Sequence, residues 1–155
     1  MVTIRFSTKD DIEVLMSSRF EMLKVVNDLP DDYQFSDEII IESRDYFQSG
    51  DHLTVLAFDD DLVVGCASMS FIRIMPTFSH PSGIRAHLMN VYTRKEYRRQ
   101  GIARRMVELV IEETWEKGAT EISLDATESG RPLYESLGFT DSEECMVLTR
   151  RKSGK

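Results

Sequence analysis

The spacing of hydrophobic residues changes several times along the chain, and each change predicts a new structural element. Residues 2–6 alternate between apolar and polar side chains, which predicts a strand with one buried face. Helical spacing follows over residues 12–26, after Thr8 and Asp11, which resemble a capping box with Asp in place of Glu. Ser36 is placed to cap a second helix. The first third of the chain therefore predicts one strand and two helices.

The middle of the chain is rich in residues that favour β-structure. Residues 52–58 and 62–71 are almost continuously apolar and are separated by three aspartates, which predicts a hairpin whose strands are covered on both faces. An irregular segment over residues 73–85 contains two prolines and a glycine. It leads into the apolar run 86–93, which predicts a further strand.

The most regular helical pattern follows this strand. Its predicted buried face consists of Ala103, Met106, Val107, Val110, Ile111 and Thr114 or Trp115. A short strand over residues 121–125, a short helix that begins near residue 130 and a last strand at Cys145–Thr149 complete the chain. This order of elements predicts an α/β domain with a mixed sheet and helices on both faces.

Length and composition indicate one soluble domain. The chain has 155 residues, of which 41% are hydrophobic and 30% are charged, so we expect a single domain over residues 1–150 and a disordered basic tail over 151–155. The absence of a signal-peptide pattern or a long apolar run predicts a cytoplasmic protein without a membrane partner. Cys66 and Cys145 are isolated in strand-like runs and are predicted to be buried thiols. The three histidines lack ligand-like spacing, so no metal is expected.

The distribution of charge predicts a small anionic ligand. The net charge is −8, with fifteen acidic against three basic residues between Asp10 and Asp61 but six basic against one acidic between Arg94 and Arg105. A nucleic-acid binder needs a broad positive face, which this chain lacks. The acidic first half slightly favours a cationic acceptor substrate.

The turn Tyr97–Arg105 has the composition of an anion-binding site. It connects a predicted strand to a helix, and the first N–H groups of a helix lack intrahelical partners and carry partial positive charge. Gly101 lets a ligand approach the backbone, and the arginines offer charge-assisted donors. A solvated basic helix start is the alternative interpretation. A phosphate-binding loop of the nucleotide-hydrolase type does not fit, because Gly101 is not followed by Gly-Lys-Ser/Thr.

Two motifs in this order resemble those of the GNAT superfamily of N-acetyltransferases. Arg98-x-x-Gly101-x-Ala103 resembles its acetyl-CoA signature, and Tyr134-x-x-Leu137-Gly138-Phe139 its second signature. The strand that ends in residues 90–93 resembles the one along which the pantetheine arm lies. The resemblance implies a GNAT-like, mostly antiparallel central sheet with helices on both faces. It also implies a splay between the strands near 86–93 and 121–125.

The resemblance further implies transfer of an acetyl group from acetyl-CoA to a primary amine of a small molecule or peptide. The amine would attack directly in a ternary complex, and a backbone N–H near Asn90 or Val91 would hold the developing oxyanion. The expected cofactor-binding residues are Val91, Tyr92, Thr93, Arg98, Arg99, Gln100, Gly101, Ile102, Ala103, Arg104 and Ser129. Members of the superfamily often form dimers, so a homodimer stays open, and a non-catalytic acyl-CoA-binding sensor or partner module is the alternative function.

Tyr134 occupies the position of the general acid in the second motif, where the resemblance implies that it protonates the departing thiolate. The alternative is a tyrosine that only packs in the core. The general base is less well specified, and Asp125 is the first candidate, as base or water relay. Further candidates are Glu128, His87, Asn90 and His80. The chain lacks the asparagine that many relatives have at the start of the last helix, where Ser129 or Arg131 is the expected substitute.

Overall fold

The chain folds into a five-stranded sheet with helices on both faces, as seen in a computed structural model that describes residues 1–150. The predicted tail 151–155 lies outside the described residues. The elements are β1 (Val2–Phe6), α1 (Ile12–Val26), α2 (Asp37–Ser49), β2 (His52–Asp59), β3 (Leu62–Arg73), β4 (Ile84–Thr93), α3 (Ile102–Glu116), β5 (Ile122–Leu124) and α4 (Arg131–Ser136). Short 3-10 turns at Lys9–Asp11 and Lys95–Tyr97 precede α1 and α3.

The sheet has the strand order β1-β2-β3-β4-β5, and its pairs are antiparallel except for the parallel pair β4–β5. Helices cover both faces because successive side chains of a strand point to opposite sides. Cys66 packs with Leu15 and Met22 of α1. Its neighbour Gly65 faces Met106 of α3, whose methyl carbon would lie 3.0 Å from a Cβ at position 65. The predicted mixed, mostly antiparallel sheet is thus confirmed.

The pairing of β4 contains two irregularities that define the site. Cys66 pairs with Tyr92 but Ser68 pairs with Met89, so two residues of β4 lie opposite one residue of β3. One of these two, Asn90, has a φ of +60°, in the left-handed region. On its other edge, β4 pairs with β5 only as far as Leu88, which lies opposite Leu124. The second half of β4 is therefore not paired with β5, as the predicted splay requires.

Two details of the predicted elements differ from the structure. Residues 145–149 form no strand and are exposed, so the predicted last strand is wrong, as is the predicted burial of Cys145. An apolar run becomes a strand only where a sheet edge accepts its hydrogen bonds, and the pattern of one segment does not report that partner. Cys66 is buried as predicted.

The buried face of α3 is rotated slightly from the predicted one. It consists of Ile102, Met106, Val107, Val110 and Thr114, whereas Trp115 is half exposed. The chain divides into two compact units, Met1–Asp125 with the whole sheet and Ala126 onwards with α4. No helix among residues 1–150 combines the length and apolarity needed to cross a membrane.

Candidate active site

The start of α3 is an uncapped helix N-terminus with open space in front of it. Gly101, the N-cap, has a φ of +77°, and no side chain caps the helix. The N–H of Arg105 donates to the carbonyl of Gly101 over 3.1 Å, so the first turn precedes the regular hydrogen bonds. A Cβ placed on Gly101 would meet no atom within 4 Å. The local geometry therefore suits a bound anion.

Polar contacts fix the turn that carries this helix start. Arg98 Nε donates to the Thr93 carbonyl oxygen over 2.9 Å, which ties the turn to the end of β4. Glu21 of α1 accepts from both Arg94 Nε (2.9 Å) and Arg94 Nη2 (2.7 Å), and also from the Tyr92 hydroxyl (3.1 Å). The guanidinium of Arg94 is therefore occupied by Glu21. The side chains of Arg98 and Arg99, by contrast, are exposed to solvent. A rigid turn thus presents cationic groups beside the helix start.

The last residues of β4 offer backbone groups away from β3. The Arg94 N–H donates to Val64 of β3 over 2.8 Å, so the alternate residues Val91 and Thr93 direct their backbone groups to the opposite edge. No strand of Met1–Asp125 pairs with that edge, because β5 ends at Leu124. In addition, Thr93 Oγ1 is buried and has no hydrogen-bond partner among residues 1–150. An extended ligand with amide groups could pair with this edge as an added strand does.

The bulge residue Asn90 is held by its side chain. Its Oδ1 accepts from Arg19 Nη1 of α1 over 3.2 Å, and its Nδ2 donates to Ser68 Oγ over 3.2 Å. The Cys66 thiol donates to the carbonyl of Asn90 over 3.3 Å. A left-handed asparagine costs free energy, and these contacts to its side chain and its carbonyl group maintain it. The bulge changes the direction of the following N–H groups at the point where β4 diverges from β5.

A chain of polar side chains continues from this bulge across the sheet. Ser68 Oγ lies 2.9 Å from Thr54 Oγ1, which lies 3.0 Å from Nδ1 of His52. The other ring nitrogen of His52 lies 3.1 Å from the carbonyl oxygen of Phe47 in α2. Sequence reasoning missed this network and Arg19 at its end. Its members come from separate segments, so no local spacing in the sequence could have revealed them.

The structure brings together two of the candidate bases. Nε2 of His87 lies 3.5 Å from Oδ2 of Asp125, whose side chain is fully exposed, and Nδ1 of His87 lies 2.8 Å from Ser123 Oγ. His80 instead contacts Thr120 (2.8 Å), near the beginning of β5, and is thus separated from the bulge. The amide of Asn90 is engaged and has no basic atom. Within Met1–Asp125, His87 and Asp125 thus form one histidine–carboxylate pair, and His80 with Glu121, at 4.0 Å, forms another that lies farther from the bulge.

Besides Thr93, two of the predicted cofactor-binding residues have buried side chains. Tyr92 belongs to the core cluster with Leu15 and Leu56. Burial and the contact with Glu21 raise the pKa of its phenol to about 12. Ile102 is 3% exposed and packs beneath the helix start. For these two residues, only the backbone is available to a ligand.

The second unit contains the remaining candidates. Tyr134 lies on α4, with its ring edge-on to Phe139 at 5.9 Å between centroids. Burial raises the pKa of the Tyr134 phenol above its ordinary value. Ser129 and Glu128 are exposed, and Arg131 donates to Asp141 over 3.0 Å.

A mixed sheet in which β4 pairs with the edge strand β5 only as far as Leu88, beside an arginine-flanked helix start, fits the GNAT-like fold that the two sequence motifs imply. A comparison with models of protein families agrees, because residues 20–139 match the acetyltransferase (GNAT) family. The chain belongs to this family.

Known proteins resemble the chain to different extents. A glucosamine 6-phosphate N-acetyltransferase from Trypanosoma brucei brucei is 31% identical over 86 residues, which is 56% of each chain. The match therefore spans little more than half of that relative. A predicted acetyltransferase from Clostridium acetobutylicum, solved with acetyl-CoA, has a TM-score of 0.84 and 27% identity and covers 96% of both chains. A GCN5-related N-acetyltransferase from Ralstonia eutropha has a TM-score of 0.75 and 21% identity, with 99% of this chain and 100% of that chain covered.

Proposed function

We propose that the protein is an N-acetyltransferase that moves the acetyl group of acetyl-CoA to a primary amine of a small molecule or peptide. The observation that carries the proposal is the open, uncapped start of α3 at Gly101, directly after a β4 edge without a strand partner in Met1–Asp125. Family membership and the Clostridium acetobutylicum structure solved with acetyl-CoA support the choice of cofactor.

The residues around the turn fit coenzyme A by charge and by hydrogen-bonding capacity. The N–H groups of the first turn of α3 and the side chains of Arg98, Arg99, Gln100 and Arg104 would hold the diphosphate and neighbouring phosphate. Val91 and Thr93 would bind the amide groups of the pantetheine arm through their backbones. The buried, unpartnered Thr93 Oγ1 supports this fit, because such an atom ordinarily has a hydrogen-bond partner. Ser129 is a further candidate for contact with coenzyme A, only because of its position near the second motif.

The proposed chemistry requires stabilisation of an oxyanion and transfer of two protons. Acetyl-CoA supplies an activated acetyl thioester. A backbone N–H at Asn90 or Val91 would donate to the carbonyl oxygen, since the bulge frees these groups from the β-ladder. Tyr134 would protonate the departing thiolate, and its raised pKa keeps the phenol protonated at neutral pH.

Proton removal from the amine is assigned to Asp125, acting with His87. The two side chains lie 3.5 Å apart. His87 lies three residues before Asn90 on β4, which corresponds to about 10 Å along an extended strand. A chain of bound waters would therefore carry the proton from the amine to this pair.

Two measurements test the proposed function. Coenzyme A should raise the melting temperature of the protein, whereas ATP should not, because ATP lacks the pantetheine arm that pairs with β4. Release of free thiol from acetyl-CoA should then depend on an added primary amine. The panel should include glucosamine and glucosamine 6-phosphate, because the relative from Trypanosoma brucei brucei is named for the latter.

Each negative result has a distinct meaning. Absence of stabilisation by coenzyme A would remove the cofactor assignment. Stabilisation without amine-dependent thiol release over a broad panel would instead identify a binding module without transferase activity.

A further inference from the structure

Arg19 of α1 is a half-buried cation without an acidic partner. Its Nη1 donates to Asn90 Oδ1 over 3.2 Å, and no carboxylate among residues 1–150 lies within 4 Å of its guanidinium. Two other arginines of the first unit, Arg94 and Arg44, have such partners in Glu21 and Glu13. A charge that is partly removed from water is stabilised by an opposite charge, so an anionic group at this position would be favourable.

The groups around Arg19 do not supply that counter-charge. Burial lowers the pKa of the guanidinium, and the groups that interact with it electrostatically are Cys66 and Tyr46. Burial raises the pKa of the Cys66 thiol to about 12 and also raises the pKa of the Tyr46 phenol, which contacts Ser70. Both groups are therefore neutral at pH 7, and Arg19 keeps its positive charge.

The position of Arg19 relates this charge to the acceptor rather than to coenzyme A. Arg19 contacts the side chain of Asn90, which projects to the α1 face of the sheet with Ser68. The Arg98–Arg105 turn supplies a separate group of cations for the phosphates. An amine that reaches the bulge from the α1 side would pass next to the Arg19 guanidinium.

Three acidic residues of α1 and of the turn before it are paired with arginines in the structure. Asp11 binds Arg5, Glu13 binds Arg44, and Glu21 binds Arg94. The composition alone favours a cationic acceptor. The unpaired charge beside the bulge is positive, however, and favours an anionic acceptor.

We propose that Arg19 binds an anionic group, a carboxylate or a phosphate, on the acceptor amine and so selects anionic amines as substrates. This inference rests on the proposed acetyltransferase function. A planar guanidinium suits both groups because it offers paired donors to two oxygens.

Matched substrate pairs test this inference. Glucosamine 6-phosphate and glucosamine differ by a phosphate, and an amino acid and its amide differ by a carboxylate charge. For at least one pair we expect kcat/KM, measured by thiol release, to be at least 10-fold higher for the anionic member. In Arg19→Met this preference should fall to near one, whereas Arg19→Lys should retain part of it because the charge stays. Arg44→Met is the matched control, since Arg44 is paired with Glu13 and should not affect the preference.

Stabilisation by coenzyme A separates the possible failures. It should be retained in Arg19→Met, because Ser68 and Cys66 of β3 still contact Asn90, and its retention also shows that the variant is folded. A wild-type enzyme without preference in either pair, or a preference that survives Arg19→Met, would overturn the assignment of Arg19. If coenzyme A binds and no amine reacts, the transferase proposal fails, and calorimetric binding of the same pairs to the coenzyme A-loaded protein decides the anion site separately. A preference confined to one pair identifies the anionic group as phosphate or carboxylate.

Discussion

Replacement of Gly101 by alanine separates the backbone role of this residue from its role in binding. At a φ of +77° an alanine is strained, and we expect a loss of about 1 kcal/mol in the free energy of unfolding. For a chain of this length, that loss corresponds to a decrease of about 2–4 °C in melting temperature. The new methyl group would meet no protein atom within 4 Å, so no steric cost within the protein adds to this value.

The effect on coenzyme A binding should be larger than the effect on stability. The space in front of Gly101 is where the proposed diphosphate approaches the N–H groups of α3, and a methyl group there prevents close approach. We expect the Kd for coenzyme A, measured by calorimetry, to rise more than 10-fold, which is about 1.4 kcal/mol or more.

Gly118 provides the matched control. It has a φ of +92°, and a Cβ there would meet only Ile84 Cδ1, at an ordinary 3.8 Å. Gly118 lies just beyond the C-terminal end of α3, whereas Gly101 lies at its N-terminal end. The 15 residues of this helix span about 22 Å along its axis. Gly118→Ala should therefore destabilise the protein to a similar extent and leave the Kd for coenzyme A unchanged. Equal Kd values for the two variants would refute the assignment of the ligand to the start of α3.

Two further predictions concern catalysis and stability. Tyr134→Phe should lower kcat for an identified acceptor at least 10-fold and leave the Kd for coenzyme A within about twofold, since only the proton donor is removed; an unchanged kcat would exclude Tyr134 as the acid. The hydrogen bond from Arg5, with that from the Thr8 N–H, lowers the pKa of Asp11 from 3.8 to about 2. The ionised carboxylate should therefore stabilise the fold by about 1–2 kcal/mol above pH ~4, and this contribution should disappear as the pH falls through about 2. Urea unfolding of wild type and Asp11→Asn should show the difference at pH 7 but not near pH 2, and an equal difference at both pH values would contradict the ion-pair explanation.

The structure also explains how a small fold holds an irregular strand in place. The Glu21 carboxylate binds Arg94 and Tyr92, and Arg19 of the same helix binds Asn90. These contacts attach α1 to β4 on both sides of Val91. Asn90 is also held from β3, where Ser68 and Cys66 contact the same residue.

The motifs that carry the proposed chemistry were readable from the sequence because they are local. A strand that ends near Thr93, a glycine at 101 and a periodic helix after it occupy one continuous segment, and hydrogen bonding within such a segment follows from its own residues. The apolar runs of β2 and β3 likewise predicted buried strands, since their composition reports burial on both faces.

Features that depend on pairing between distant segments were decided only by the tertiary structure. The run 145–149 has the composition of a strand and forms none. The bulge at Asn90 exists because Cys66 pairs with Tyr92 while Ser68 pairs with Met89, and the register of two strands is not encoded in either one alone. The unpaired charge of Arg19 has the same origin, because it depends on which neighbours α1 meets on the sheet. The sequence by itself determined the family and the position of the helix start. Long-range packing determined which residues surround the bulge at Asn90, where we propose that the acceptor binds.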